Sequence, residues 1–506
     1  MNKIILSAAL LTVISTTALA QSGTNSPYSQ YGLGALATQA TGFNRGMNGL
    51  AYGFHEHNQV NHMNPASYSA VDSLSFIFDA GLSLQLTNFD EGGHKVNAHN
   101  ADIEYIVASF RAFKHVGVSF GLLPYSNVGY NFSNKRNVNA FPSPSSPSTT
   151  YSNTYSGDGG LHQVYLGAGW EPFKGFSFGA NISYLWGMLN RYTTNSYSDS
   201  YVNTISRNYT AEIKNYKLDF GVQYTHAITK KDELTLGLTY SLGHKLNSNT
   251  ECNLISTNSQ TGVSDTTRYM ISNAFELPHT IGIGLMWNHN NHLKIGVDYQ
   301  LQKWAKILYP RLSGTGSATT FALADGFFKD RHRLTLGGDY CRGERYRGFF
   351  DRMHYRAGVS YTSPYLKING ADGPRELSAS LGVGIPIING YNNRSILNIS
   401  AEWVNQSATG LIKENMFRIN VGLTFNERWF AKFKVNNMRF GRNILFLVLL
   451  LITLGSMLIS CTEEREHTAP AIYDRDSVPV MTTYGVNTLI SDSGVIKYRI
   501  VTEQWE

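Results

Sequence analysis

Near the amino end His55, Glu56 and His57 stand in succession, with His62 close behind. Alternate residues of an extended segment share a face, so two imidazoles there could meet a zinc ion. No clear fourth ligand accompanies them, and a polar loop is the favoured reading, with no metal and no cofactor expected. His289 and His292 fall in an expected turn, where solvation accounts for them. Arg342, Arg345, Arg347 and Arg352 form a basic turn that is either solvated or set against anionic headgroups. Cys252 and Cys341 are expected at opposite ends of the structure, too far apart for a disulfide, and so as free thiols. Cys461 differs, because Leu458-Ile459-Ser460-Cys461 closes an apolar run that starts at Ile444, behind Met438, Arg439 and Arg442. This has the form of a second start with a lipobox, whose cysteine would be acylated. No nucleophile elbow, phosphate-binding glycine loop or CxxC pair occurs, and an enzyme is not expected.

The elements around these residues follow from composition and period. The chain has 506 residues, 42 basic and 36 acidic, a net charge of +6, and only 15% charged side chains. Soluble domains average about 25% charged residues. So small a surplus is too dilute for a nucleic-acid binder, and 12% aromatic residues exclude disorder. Lys3, the apolar stretch Ile4 to Ile14 and Ala18-Leu19-Ala20 make residues 1–20 a secretory signal, with the mature chain beginning near Gln21.

From Leu74 to Phe425 apolar residues recur at every second position, the period of a strand with one apolar face. Phe76, Phe78, Ala80, Leu82, Leu84 and Leu86 share one parity, and Ser75, Asp79, Ser83, Gln85 and Thr87 the other. The pattern yields about 14 segments, most near the ten residues that a tilted membrane strand needs. Short connections alternate with long Ser/Thr/Asn/Tyr-rich ones, as outer-membrane barrels alternate periplasmic turns with external loops. The expected fold is therefore an all-β, antiparallel transmembrane barrel with both ends in the periplasm. Trp170, Trp287 and Trp429 are expected in one aromatic girdle and Trp186, Trp304 and Trp403 in the other.

Ahead of the first strand, Gly46-Met47-Asn48-Gly49-Leu50-Ala51 leads to Asn64-Pro65-Ala66-Ser67. This segment resembles the plug region of the long-chain fatty acid transporter family (FadL-like), in which an Asn-Pro-Ala motif precedes strand one. Ser26-Pro27-Tyr28-Ser29-Gln30-Tyr31-Gly32 and Leu123-Pro124-Tyr125-Ser126 are similar to its Bacteroidetes branch. The resemblance implies a plug over residues 21–73 with Asn64, Pro65 and Ala66 as its motif, and a barrel over 74–435. It also implies a hydrophobic small-molecule ligand, such as a long-chain fatty acid, bound by the plug and released sideways. In the family the third strand is kinked inward; here that strand holds Gly117, Gly121 and Pro124, the candidate lateral opening. A shuttle or accessory role in protein secretion is the open alternative.

Residues 438–461 read as the second signal or hydrophobic helical anchor. Residues 462–506 resemble the start of LptC-like proteins of lipopolysaccharide export, a truncated β segment. The expected account of this join is two adjacent genes joined by a lost stop. The expected location is the outer membrane, with the tail periplasmic and anchored. Expected partners are membrane lipids, lipopolysaccharide and the barrel-assembly machinery, with no nucleic acid.

Overall fold

In a barrel whose outer face meets lipid, alternation must place apolar side chains outside and polar ones inside. The computed structural model shows this inversion: Leu82, Leu84, Val164, Leu166 and Ile182 are exposed, while Ser83, Gln85, Gln163, Asn181 and Ser183 between them are buried. It describes residues 23–73, 75–137, 150–314, 319–343, 346–387, 395–427, 483–492 and 495–505. The chain divides into two units, Met1–Ala431 and Lys432–Glu506. The signal at 1–20, Arg345, Trp429, the segment 438–461 and Cys461 lie outside the described residues.

In the first unit a two-residue strand β1 (Ala35–Leu36) precedes the wall. The wall begins with β2 (Phe76–Glu91), β3 (His94–Phe113), β4 (Val116–Asn137), β5 (Thr150–Phe173), β6 (Phe176–Tyr197), β7 (Thr204–Ala227) and β8 (Asp232–Ser241). It continues through Thr280–His289, Leu293–Gln302, Arg331–Tyr340, His354–Thr362, Arg375–Ile387 and Ser395–Ser407. The closing strand Lys413–Glu427 pairs back onto β2, from Phe76 opposite Glu427 to Asp90 opposite Lys413, so 14 antiparallel strands form a closed barrel.

Strand lengths differ from the expected ten. β5 and β7 have 24 residues and β4 and β6 have 22, whereas the strands on the far side have 10 or fewer from Thr280 to Thr362. Much of what reads as long loop, at Ser133 to Gly160 and Leu189 to Asn208, is strand prolonged beyond the apolar band. Its Tyr and Thr residues favour the extended backbone. The loop after β8 likewise carries a hairpin, Ser248–Thr257 with Ser264–Ser272, whose first strand extends the β7 edge. At the other end turns are tight, as at Asn290 and Asn291, both with positive φ, the pattern of a type I′ hairpin.

One girdle expectation fails. Trp304 is 1% exposed and packs against Phe328 and Tyr365 within the long-loop layer, not against lipid. Loop segments carrying Leu246, Phe275, Leu277, Ile307, Leu366 and Ile368 fold inward over the mouth and form an apolar cluster with it. Sequence parity marks a tryptophan near a strand end without telling which way the loop turns. Cys252 and Cys341 are buried free thiols. The second unit contains a hairpin, Thr483–Asp492 paired with Val495–Trp505.

Candidate functional site

The segment before the wall fills the bore in two parts. The first is a seated body, residues 41–72, built from a short helix Gly42–Arg45 and the 3-10 helix Pro65–Ala70. Asn64 caps the latter: its side-chain oxygen accepts from the Ala66 N–H at 3.2 Å and its amide donates to the Tyr52 carbonyl at 2.8 Å. Pro65 occupies the first helical turn, where a missing N–H costs nothing. Ala66 is fully buried, as is Asn64. The motif is thus a rigid corner of the plug, and its polar atoms are turned inward to backbone groups.

Inward-facing glycines receive this body. A Cβ on Gly179 or Gly169 would lie 2.4 or 2.5 Å from the Pro65 carbonyl oxygen, one on Gly237 1.9 Å from that of Tyr52, and one on Gly358 2.3 Å from Met47. Gly117 belongs to this seat, since its Cβ would fall 1.8 Å from the Tyr68 oxygen. Apart from Gly117, which the sequence placed with the candidate lateral opening, these glycines were not singled out from the sequence. Their signal is a glycine on the polar parity of successive strands, as in Gly167-Ala168-Gly169 and Gly282-Ile283-Gly284.

Polar bonds then lock the body. Arg45 pairs with Glu104 at 2.8 Å, both buried, and donates to Asn420 at 3.1 Å. Asp298 accepts from the Ala51 and Tyr52 N–H groups at 2.6 and 2.9 Å, and Gln223 donates to the Tyr52 and Phe54 carbonyls, each at 2.9 Å. The histidine cluster does not converge. His55 contacts Gln223, Glu56 pairs with Lys294, His57 faces Asp72, and His62 lies tilted beside the Tyr165 ring. The His62 ring is buried with no hydrogen-bond partner, and that burial, aided by nearby Lys217 and Arg45, pushes its pKa down to about 3.

The second part is a strap, residues 23–39, that runs to a break in the wall. β3 and β4 pair from the turn only as far as Ile106 opposite Leu122. Gly121 stands at that end, where a Cβ would be 2.6 Å from the Ile106 oxygen, and Pro124, which has no N–H, lies just past it. Gly121 and Pro124 therefore mark the break, and Gly117 sits apart from them. Beyond it β4 continues to pair with β5, with a register shift between Pro124 and Ser126, while β3 continues with β2. On the side that β3 leaves, β1 pairs antiparallel with β4, Ala35 opposite Asn127 and Leu36 opposite Ser126.

Beside the strap lies a cavity of about 140 Å3, lined among others by Asp102, Glu104, Arg331, Arg333, Glu376 and Arg418. Buried charges of both signs suit water and polar groups, and a hydrocarbon would strip them of solvation without repaying it. No group of metal-ligating side chains occurs among the described residues.

Comparison with solved structures shows the same fold. The P. putida toluene transporter TodX is 14% identical, with a TM-score of 0.53 over 78% of this chain and 100% of that one. The Ralstonia pickettii toluene transporter TbuX is 13% identical, with a TM-score of 0.52 over 77% and 98%. The CymD monoaromatic hydrocarbon channel is 13% identical, with a TM-score of 0.51 over 78% and 99%. The likeness is one of fold, a closed antiparallel barrel. No curated protein matches the sequence. One family model matches residues 1–436, ending ahead of Met438, and by that match the chain belongs to the BamG family.

Proposed function

We propose that the protein is a plugged outer-membrane barrel that serves as an accessory to barrel assembly, using its wall and tall hairpins rather than its bore. The observation that carries this reading is the bore itself: a body locked on wall glycines, a charged cavity, and an apolar layer folded over the mouth. The family's name points to the same machinery. Its partners are then barrel-assembly components, with membrane lipids and lipopolysaccharide around the apolar band. Depletion in native cells should lower the folded fraction of unrelated barrels, read by heat-modifiable migration, and a tagged chain should co-purify with assembly components. Normal folding of every barrel after depletion would reject the accessory role.

A second reading, passage of hydrophobic small molecules such as long-chain fatty acids by plug binding and lateral release, draws on the interruption at Gly121 and Pro124. Two of the structural neighbours, TbuX and TodX, are toluene transporters. Uptake of labelled fatty acid or toluene into vesicles containing the protein tests it, and uptake no faster than in empty vesicles rejects it. The tail, residues 462–506, is a separate unit whose proposed LptC-like role is tested by immunoblotting barrel and tail in separated membranes. One common band indicates a fusion, and two bands indicate two proteins.

A further inference from the structure

The β4 edge beyond Leu122 is finished in an unusual way. A closed barrel normally leaves no strand edge, because each backbone N–H and C=O meets a neighbouring strand. Here the strap supplies the bonds one at a time and with different groups. The Gln39 side-chain amide donates to the Pro124 carbonyl at 2.8 Å, and the Ala37 N–H donates to the Tyr125 carbonyl at 3.0 Å. β1 covers Ser126 and Asn127. The Gly129 N–H donates to the Ser29 hydroxyl at 3.2 Å, whose own proton is directed to the Ser26 carbonyl at 2.7 Å. Gly34, at φ +94°, lets the strap approach so closely that a Cβ there would be 2.7 Å from the Asn127 oxygen. On the opposite side Asn25 donates to Asn100 of β3 at 2.6 Å. Two of these groups are side chains imitating a ladder, and the one true strand contributes two residues.

We propose that the β4 edge from Pro124 to Gly129 is a strand-acceptor site, and that β1 is its resident occupant, exchanged for an extended strand of an unfolded outer-membrane protein. The occupant is specified by what already sits there. A backbone segment in antiparallel register satisfies this edge, so the ligand it selects is an extended polypeptide and not a small molecule. A longer strand would replace a set of single, mixed bonds by a continuous ladder, the way an extended segment adds to any open sheet edge. Leaving costs the strap its bonds from Arg45 to the Thr38 carbonyl, from Ser26 to Glu414 and from Arg191 to the Gly32 carbonyl, while the glycine seat and the Arg45–Glu104 pair still hold residues 41–72.

This inference rests on the assembly reading, and the experiment separates the two. The full chain is placed in phospholipid vesicles with p-benzoylphenylalanine in place of Phe132 on β4, and with the pair Ala35→Cys and Asn127→Cys. The probe is a urea-unfolded eight-stranded outer-membrane barrel protein, diluted onto the vesicles. With the pair reduced, irradiation should join the probe to β4; with the pair oxidised, the adduct should fall to background, and reductant should restore it on the same sample. The same photo-reactive residue at Met188 on β6, a strand paired on both sides, should give no adduct. Heat-modifiable migration of both redox forms establishes that the barrel remains folded. Equal capture by reduced and oxidised forms, or none by either, overturns the strand-acceptor site. Only unimpaired barrel folding after depletion in cells overturns the assembly role.

Discussion

The two parts of the amino-terminal segment, adjacent in sequence, are held by opposite strategies. The body at 41–72 is seated where the wall has lost its side chains, and it is tied by buried polar groups from several strands. The strap at 23–39 lies where the wall has lost a pairing, and it is tied by isolated bonds, to the β4 edge and singly to Asn100, Glu414 and Arg191. A missing Cβ makes a fixed socket, whereas a missing ladder makes a replaceable contact.

The comparison can be broken most strongly at Arg45. Arg45→Ala leaves Glu104 buried without its partner, and such losses cost about 3–5 kcal/mol. Urea unfolding in lipid should show a fall of that size; a negligible fall would mean that the body is not locked as described. Gly179→Val should cost about 1–3 kcal/mol, since the added atoms meet the Pro65 carbonyl and the body must shift. Proteolysis of the segment around Pro65 in the folded barrel would register the shift. An unchanged digestion pattern would show the seat to be tolerant.

Acid should act on the body as well. His62 is held neutral, with a pKa near 3 when docked against about 6.5 when solvated, so only the released form takes up a proton between these values. Stability is complete above pH 6.5 and falls as pH drops through that window, by about 2 kcal/mol between pH 7 and pH 5. His62→Phe should flatten this dependence. A pH profile unaltered by the substitution would assign the acid response to other groups. The smallest effect is expected in the strap: Ser29→Ala removes one surrogate bond and should cost about 1 kcal/mol or less. It should nevertheless speed hydrogen exchange at Gly129 while leaving exchange at Ala66 unchanged. Equal acceleration at both would mean that body and strap move as one.

The wall was legible in the sequence because its grammar is local. Parity at Leu82, Ser83 and Leu84 states which side meets lipid, and alternating connection lengths state how strands follow one another. The plug motif at Asn64-Pro65-Ala66 was legible as a position, ahead of strand one, but not as a capped corner. The seat was not legible, because it exists only when Gly117, Gly169 and Gly179 are aligned across strands by a register that no single segment contains. Trp304 misled for the same reason: its neighbours Phe328 and Tyr365 lie on other loops. Pro124 and Gly121 were legible as residues that interrupt a strand, but the strap that finishes the edge beside them could not be read from either.

The closing seam between β2 and Lys413–Glu427 carries a further consequence for the history of the molecule. The body touches both early and late strands, through Pro65 on β5 and β6 and through Arg45 on the closing strand, and the mouth above it is covered by folded loops. A segment gripped by both early and late strands is most simply taken in while the sheet is still open. On that route the curved sheet gathers its own leading peptide before it closes, and the pairing of Phe76 with Glu427 becomes the last event of maturation. In a time course of cysteine trapping, body-to-wall links should appear before links across that seam. The amino-terminal segment, before it is ever a plug, would then be the form around which the cylinder is rolled.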